Sequence, residues 1–312
     1  MTSLSRRIND RLKHTEKDAY ASVALGIMDL LSTPLLNGLA DDTKLGLLFF
    51  LKTEADSPAW TDRHLDAQHR LYGALAYSKR IYAFDRKWLL SATVALSQDE
   101  DFIAANEKWD LTDRPNHSIL KDTQRQQYLQ AIVDVHSDAL GMESPIVICH
   151  HSPIKKMKQH GSLAVHDSTD NTINVTLRKK DGEILPFLDI LEIILHENTH
   201  NHQEQLVDML EVGTMTQKSI AYKATLAFQA NIRGKDSYLS CGDAASGKGN
   251  VVAYMVQPME YHAITSANYM IDCLTDTDFF WAEYAKFEQK ANNYKAGAEK
   301  RRDKRNGLDL AP

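Results

Sequence analysis

The stretch that decides the fold is His196-Glu197-Asn198-Thr199-His200, which lies inside a run of helical character from Phe187 to Leu210. Residues four apart share one face of a helix, so the imidazoles of His196 and His200 can converge on one metal ion. Glu197 lies about 100° around the helix from His196. It can reach a water on that ion without serving as a ligand. The H-E-x-x-H pattern therefore predicts a metal helix with two ligands and one general base.

The residues before the motif indicate that this helix is buried. They form an apolar approach that consists of Leu188, Ile190, Leu191, Ile193, Ile194 and Leu195. Polar groups that are buried without a partner cost about 1–3 kcal/mol each, and a bound metal would supply the partners. The alternative is a solvated helix face that carries two histidines and a glutamate by chance.

The bulk composition is that of an ordinary globular chain. It has 312 residues, of which 43% are hydrophobic and 25% charged, and a net charge of −6. That length suits one large domain or two ordinary ones. The acidic balance argues against a nucleic-acid partner. The one basic cluster, Lys300 to Arg305, is typical of a solvated helix end or tail.

Cysteine usage and hydropathy bear on the compartment. Cys149, Cys241 and Cys273 are far apart and form no C-x-x-C pair, a usage that fits a reducing compartment. The first 20 residues contain no apolar signal segment. The longest apolar stretch, Leu45 to Leu51, is far shorter than the roughly 18 residues of a membrane span. We expect a cytoplasmic protein without a membrane span; export as an effector without a classical signal peptide is the alternative.

The chain divides into two regions, and its predicted class is α+β, mainly helical. Residues 1–140 form a helical N-terminal region, and residues 141–312 contain a small sheet, the metal helix and C-terminal helices. The helices predicted in the first region are Ala19 to Leu31, Thr43 to Leu51, His64 to Phe84, Trp88 to Leu96 and Gln124 to Leu140.

The second region begins with strand signals. Pro145 to Cys149 is rich in β-branched residues, and both Ser162 to His166 and Thr172 to Leu177 alternate apolar with polar residues. Asp167 to Asn171 reads as a tight hairpin turn between the last two. Two further helices are expected, over residues 251–273 and 278–300.

A small sheet followed by an H-E-x-x-H helix resembles the zincin metallopeptidase core. The resemblance covers Pro145 to Met270. It implies that Thr172 to Leu177 is an edge strand beside the cleft, where it would pair with an extended protein or peptide substrate. The metzincin subclass is excluded, because Gln203 and Leu206 stand where its pattern requires glycine and histidine.

The third metal ligand must come from farther along the chain, since catalytic zinc usually has three protein ligands and one open position. The best candidate is Glu260, which follows Pro258 at a helix start and precedes the small residues Ala263 and Ala267. This Glu-x-x-Ala arrangement is similar to that of gluzincins, in particular small intracellular zincins of the ImmA/IrrE type. The alternative is a helix-start charge that complements the helix dipole. Glu283 is the less favoured substitute.

The resulting hypothesis is a zinc-dependent endopeptidase. Zn²⁺ is held by His196, His200 and Glu260, and Glu197 takes a proton from the metal-activated water. Three side chains are candidate donors to the oxyanion, and the sequence does not choose among them: Tyr254, Tyr261 and His262. The rival hypothesis is a catalytically silent zincin fold used for binding or scaffolding, with the N-terminal helical region as a partner-binding module.

One further motif is a decoy. Gly242 to Lys248 matches G-x-x-x-x-G-K, but residue 249 is glycine where a phosphate-binding loop needs serine or threonine for Mg²⁺. The segment is therefore interpreted as a flexible loop. Its position just before Glu260 would suit a lid over the cleft.

Overall fold

The structure is a computed structural model that describes residues 3–78, 80–114, 117–118, 120–160, 162–179, 181–232, 238–239 and 251–289. The glycine-rich stretch from Gly242 to Lys248 and the basic cluster from Lys300 to Arg305 lie outside the described residues. So does the part of the last predicted helix beyond residue 289.

Helices make up most of the described chain, which confirms the mainly helical α+β class. Those of the N-terminal region are α1 (Ser3–Lys13), α2 (Tyr20–Leu30), α3 (Thr33–Asn37), α4 (Asp41–Lys52), α5 (Asp62–Ser78), α6 (Arg86–Gln98), α7 (Glu100–Lys108) and α8 (Asp122–Leu140). Those that follow are α9 (Lys155–His160), α10 (Phe187–Glu211), α11 (Tyr222–Ile232), α12 (Val251–Val256), α13 (Pro258–Thr275) and α14 (residues 277–289). Short 3₁₀ turns occupy Lys17–Ala19 and Ile81–Ala83.

The helix predicted over residues 251–273 is divided in two. Gln257 has extended backbone angles, and Pro258 begins α13 at the first helical position. Proline disfavours helical angles in the residue before it and suits the first turn of the helix that follows. Glu260 therefore lies in the first turn of α13, as its neighbours in the sequence predicted.

The described residues contain one pair of strands and one three-stranded sheet. β1 (Thr112–Arg114) and β2 (His117–Ser118) form a short antiparallel pair. The second sheet contains β3 (Ile146–His150), β4 (Ala164–Asp167) and β5 (Thr172–Thr176), in the spatial order β3-β5-β4. β3 runs parallel to β5, and β4 runs antiparallel to it. The predicted hairpin between β4 and β5 is confirmed, and Asn171 takes the left-handed backbone conformation, with φ 50°, at its end.

The expectation that Thr172 to Leu177 is an edge strand is wrong. β5 is the central strand of its sheet, and it is more deeply buried than either neighbour. The sequence showed two strands joined by a hairpin, which leaves open the side on which β3 adds. Because β3 pairs with β5, the free edge beside α10 belongs to β4.

α10 links two hydrophobic cores. Its first half contributes Ile190, Ile194 and neighbouring residues to a core with α6, α7, α8 and the sheet. Its second half contributes Leu206 and Val207 to a core with α2, α4, α5 and α11. Both cores combine residues from before and after residue 140, while the domain boundary placed there stays a prediction. Among the described residues, no helix is both long enough and apolar enough to cross a bilayer.

The turn from α8 toward the sheet depends on a glycine. Gly141 follows α8 with φ 69°, and the amides of Gly141 and Met142 bond back to the carbonyls of Asp138 and Ser137. A side chain at this left-handed position costs roughly 1 kcal/mol even where there is space for it.

We expect Gly141→Ala to lower the free energy of unfolding by about 1 kcal/mol because of its backbone angle alone, since an added Cβ would meet nothing within 4 Å. Gly26→Ala is the matched control. Gly26 is an exposed residue inside α2 with equal space around it, so alanine should raise the free energy of unfolding by about 0.5–1 kcal/mol. Urea titration of both variants measures the two changes in the free energy of unfolding, and changes of the same sign would contradict this account.

Candidate metal centre

Three side chains converge where α10 and α13 meet. The ligand atoms of His196, His200 and Glu260 all lie within 4.8 Å of one another. Glu260 Oε1 is 3.2 Å from His200 Nε2, and Glu260 Oε2 is 3.4 Å from His196 Nε2. The two Nε2 atoms are 3.1 Å apart. The structure thus brings together the three ligands predicted from the sequence, and this group can hold a metal ion. We call it the metal group.

Helix packing explains how Glu260 reaches the two histidines. α13 lies against α10, and its small residues Ala263 and Ala267 are buried in that contact. Small side chains let two helix backbones approach closely. Glu260 is in turn placed by Asn231, whose Oδ1 accepts a hydrogen bond of 3.0 Å from the backbone amide of Met259.

One carboxylate oxygen of Glu260 is buried without a hydrogen bond to any described residue. The atom is Oε2, and the Glu260 side chain is only 1% exposed. A buried acceptor in this state costs free energy unless another group reaches it. Two imidazoles and one carboxylate are a donor set that suits Zn²⁺ and similar divalent ions. The residues present therefore fit a metal ion.

Charge within the metal group is strongly coupled. Burial lowers the pKa of His200, but the carboxylates of Glu260 and Glu197 and the hydrogen bond to Gln203 together outweigh it and raise the pKa to about 9. Burial likewise raises the pKa of Glu260, but the two histidines outweigh that effect and hold it well below its usual range. His200 is therefore charged at neutral pH beside the Glu260 carboxylate when no metal is bound.

Glu197 lies beside the metal group and is not part of it. Its Oε2 accepts a hydrogen bond of 2.8 Å from the backbone amide of His166 in β4. The edge strand thus fixes the carboxylate that the motif predicts to be the base. Oε1 has no hydrogen-bond partner among the described residues.

Two pockets that share lining residues form a cleft at the metal group, beside β4. One pocket, of about 290 Å³, is lined by all three ligands together with Glu197, His166 and Tyr238. A second pocket, of about 420 Å³, lies toward the start of α10, where Asp189 and Glu192 line it. Both pockets share Ala164, His196, Glu197 and Tyr254. The two pockets therefore meet at His196 and Glu197.

Of the three candidate oxyanion donors, Tyr254 alone lines the cleft. Tyr261 packs its ring 5.4 Å from that of Tyr82 at the N-terminal core. His262 is fully buried behind α10, where its Nε2 lies 2.9 Å from Asp85 Oδ2. Neither Tyr261 nor His262 lines the cleft, so the prediction that they donate to the oxyanion is wrong. Adjacent residues on a helix point about 100° apart, so residues that follow Glu260 directly do not share its direction.

Glu283, the substitute ligand, is also elsewhere. Its carboxylate lies 3.3 Å from the hydroxyl of Tyr269 and contacts Lys286. It is not a member of the metal group.

The sequence reasoning missed Tyr238. Its hydroxyl donates a hydrogen bond to Glu260 Oε1, and burial together with that carboxylate raises its pKa, so the hydroxyl stays protonated. The adjacent Leu239 is held by Gln257, whose side chain bonds both its amide and its carbonyl, at 3.0 and 2.7 Å. No periodic pattern surrounds Tyr238, so only the three-dimensional structure places it at the site.

The sequence reasoning also missed the residues that fix α10 against α8. The two unspecified positions of H-E-x-x-H are filled by Asn198 and Thr199, both buried. The Asn198 side-chain amide bonds to His136 Nδ1 and Ser137 Oγ of α8, at 3.0 and 3.1 Å. Asn198 could have been singled out from the sequence, because it is a polar residue that directly follows Glu197 on a helix predicted to be buried.

Comparison of the chain with protein-family models, with curated proteins and with solved structures finds no match. The site is therefore interpreted from its geometry.

The pKa of His200 predicts that metal binding depends on pH. Below about pH 9 the ion must displace the proton on His200, so about one proton should be released for each ion bound at pH 7. Apparent affinity for Zn²⁺ should rise about tenfold per pH unit between roughly pH 6.5 and 8. Calorimetry of the metal-free protein, in buffers with different ionisation enthalpies, measures the proton count. Binding without proton release at pH 7 would contradict this assignment.

Proposed function

We propose that the protein is a zinc-dependent endopeptidase of the zincin type, with a gluzincin-like ligand set. One observation carries the proposal: the Glu197 carboxylate is fixed by the β4 backbone at the edge of a buried His-His-Glu group, inside a cleft. A structural metal site is closed and needs no base beside it, whereas a catalytic site keeps an open position and a proton acceptor.

Zn²⁺ held by His196, His200 and Glu260 would act as a Lewis acid and lower the pKa of a water to about 7. Glu197 accepts the proton of the attacking water and delivers it to the leaving amine. Its bond to the His166 amide holds one carboxylate oxygen, which leaves Oε1 for this transfer. Tyr254 supplies a hydroxyl group at the cleft, where a donor to the oxyanion is required, whereas Tyr238 donates its hydroxyl hydrogen to Glu260.

The free edge of β4 orients the substrate in this proposal. Neighbouring residues of an antiparallel strand direct their backbone groups alternately toward and away from the partner strand. The Leu163 carbonyl bonds to the Thr176 amide of the neighbouring chain segment, and the His166 amide bonds outward to Glu197. Ala164 therefore directs its backbone groups outward, to the cleft side. An extended peptide can add there as a further strand.

A second candidate is the silent binding protein, and a separate cleft favours it. Between α4 and α11 lies a cavity of about 820 Å³ lined by Leu45, Leu48, Phe49 and Leu226, and none of its lining residues belongs to the metal group. This volume falls in the range of ligand pockets, roughly 300–1,000 Å³. In this case the N-terminal region would bind a partner and the metal would support the fold.

The two candidates differ in their dependence on Glu197. We expect Glu197→Gln to keep its zinc, because Glu197 is not a ligand, and to lower cleavage by about 10²–10⁴-fold. The measurement incubates a cell lysate with each purified protein and compares new peptide N-termini by mass spectrometry. Zinc content is determined on the same samples.

Glu211→Gln is the matched control for this test. Glu211 ends α10 and is exposed, far along the helix from the metal group. It should produce the same new termini as the wild type. Stoichiometric zinc without wild-type-specific termini would favour the binding protein, and termini that persist in Glu197→Gln would refute the assigned base.

A further inference from the structure

A line of hydrogen-bonded side chains runs from the metal group into the N-terminal region. His200 Nδ1 lies 2.8 Å from Gln203 Oε1, and Gln203 Nε2 lies 2.9 Å from His262 Nδ1. His262 Nε2 then lies 2.9 Å from Asp85 Oδ2. The line connects α10, α13 and the residue that precedes α6. We call Gln203, His262 and Asp85 the relay.

The relay is sealed from solvent. Each of its three side chains is at most 1% exposed. The His262 ring stacks on Phe84, with ring centroids 5.2 Å apart, and Phe228 lies at the same distance. A carboxylate and an amide are costly to bury in an apolar surrounding, and the bonds of Gln203 to His262 and of His262 to Asp85 Oδ2 offset part of that cost.

Gln203 fixes the direction of every bond in the line. Its Nε2 also lies 2.9 Å from the Met259 carbonyl oxygen, a group that can only accept. The amide nitrogen must therefore be at that end, and its second hydrogen points to His262 Nδ1. His262 Nδ1 is then an acceptor, which leaves the ring hydrogen on Nε2, where the Asp85 carboxylate accepts it.

The same argument applies to the bond between Gln203 and His200. Since Nε2 of Gln203 is the donor, Oε1 is an acceptor, and His200 Nδ1 must carry a hydrogen to bond with it. The metal-facing nitrogen of His200 is then Nε2, the atom that lies beside Glu260 and His196. A histidine bound to a metal through Nε2 needs this arrangement.

We propose that Gln203, His262 and Asp85 are positioning residues that hold His200 in the ring orientation and protonation pattern that present Nε2 to the metal. This inference rests on the proposed zinc site and adds a role for the N-terminal region, because Asp85 belongs to it. The N-terminal region thereby supports the metal centre through His262 and Gln203, in addition to its packing.

The matched variants are Gln203→Met and Gln205→Met. Methionine keeps the length of glutamine but removes both hydrogen-bonding ends, so Gln203→Met interrupts the relay with little change of shape. Gln205 lies on the same helix, and its amide bonds Glu143 and Asn201, away from the metal group. We expect Gln203→Met to weaken Zn²⁺ binding by about 10–100-fold and Gln205→Met to leave it unchanged.

Two measurements test the relay. Competition with a chromophoric chelator gives the Zn²⁺ dissociation constant of the wild type and both variants, with thermal unfolding as the check on folding. The ¹⁵N spectrum of histidine-labelled wild type, loaded with Zn²⁺, reports the ring protons directly. It should show His262 neutral with its hydrogen on Nε2, and His200 with a hydrogen on Nδ1 that exchanges slowly with solvent.

The outcomes separate the two proposals. A wild type that binds no Zn²⁺ would overturn the proposed function and this inference with it. A wild type that binds Zn²⁺ as tightly as Gln203→Met would overturn the relay alone. If Gln203→Met fails to fold, the wild-type spectrum decides, and His262 with its hydrogen on Nδ1 would overturn the relay.

Discussion

The structure depends on one buried carboxylate. Glu260 lies between two imidazoles with almost no exposure, and one of its oxygens makes no hydrogen bond to a described residue. Such a group is stable only where compensating charge is held close to it. The two histidines beside it supply that charge when protonated, and together with Glu260 they form a donor set for a metal ion. A proton on His200 compensates the charge of Glu260 only in part, whereas a divalent ion would interact with all three ligands.

α10 is the element that makes such a site possible. It joins both hydrophobic cores, so its position is determined at each end by apolar packing. The polar residues near its middle are then held on two sides. Glu197 is fixed by the edge of β4, and Asn198 by α8. The candidate metal group and the fold share this helix, because the cores on both sides of its middle fix the residues that could bind a metal.

Much of this could be predicted, and the remainder has identifiable physical causes. The spacing along one helix predicted the roles of His196, Glu197 and His200, and the small residues that follow a proline indicated Glu260 as the third ligand. The identity of the edge strand could not be read, since pairing order is set by β3, which is distant from β5 in sequence. Asp85, Tyr238 and the orientation of His262 depend on contacts between elements. Gln203 was readable in part: it lies three residues after His200, on the same helix face.

The central claim is that His196, His200 and Glu260 bind one metal ion directly. Crystals of the zinc-loaded protein, with diffraction data collected on both sides of the zinc absorption edge, test it most directly. The account predicts a single anomalous peak about 2.0–2.2 Å from His196 Nε2, His200 Nε2 and a Glu260 oxygen, with an open position toward Glu197. A peak elsewhere, or an ion bound without Glu260, would contradict it.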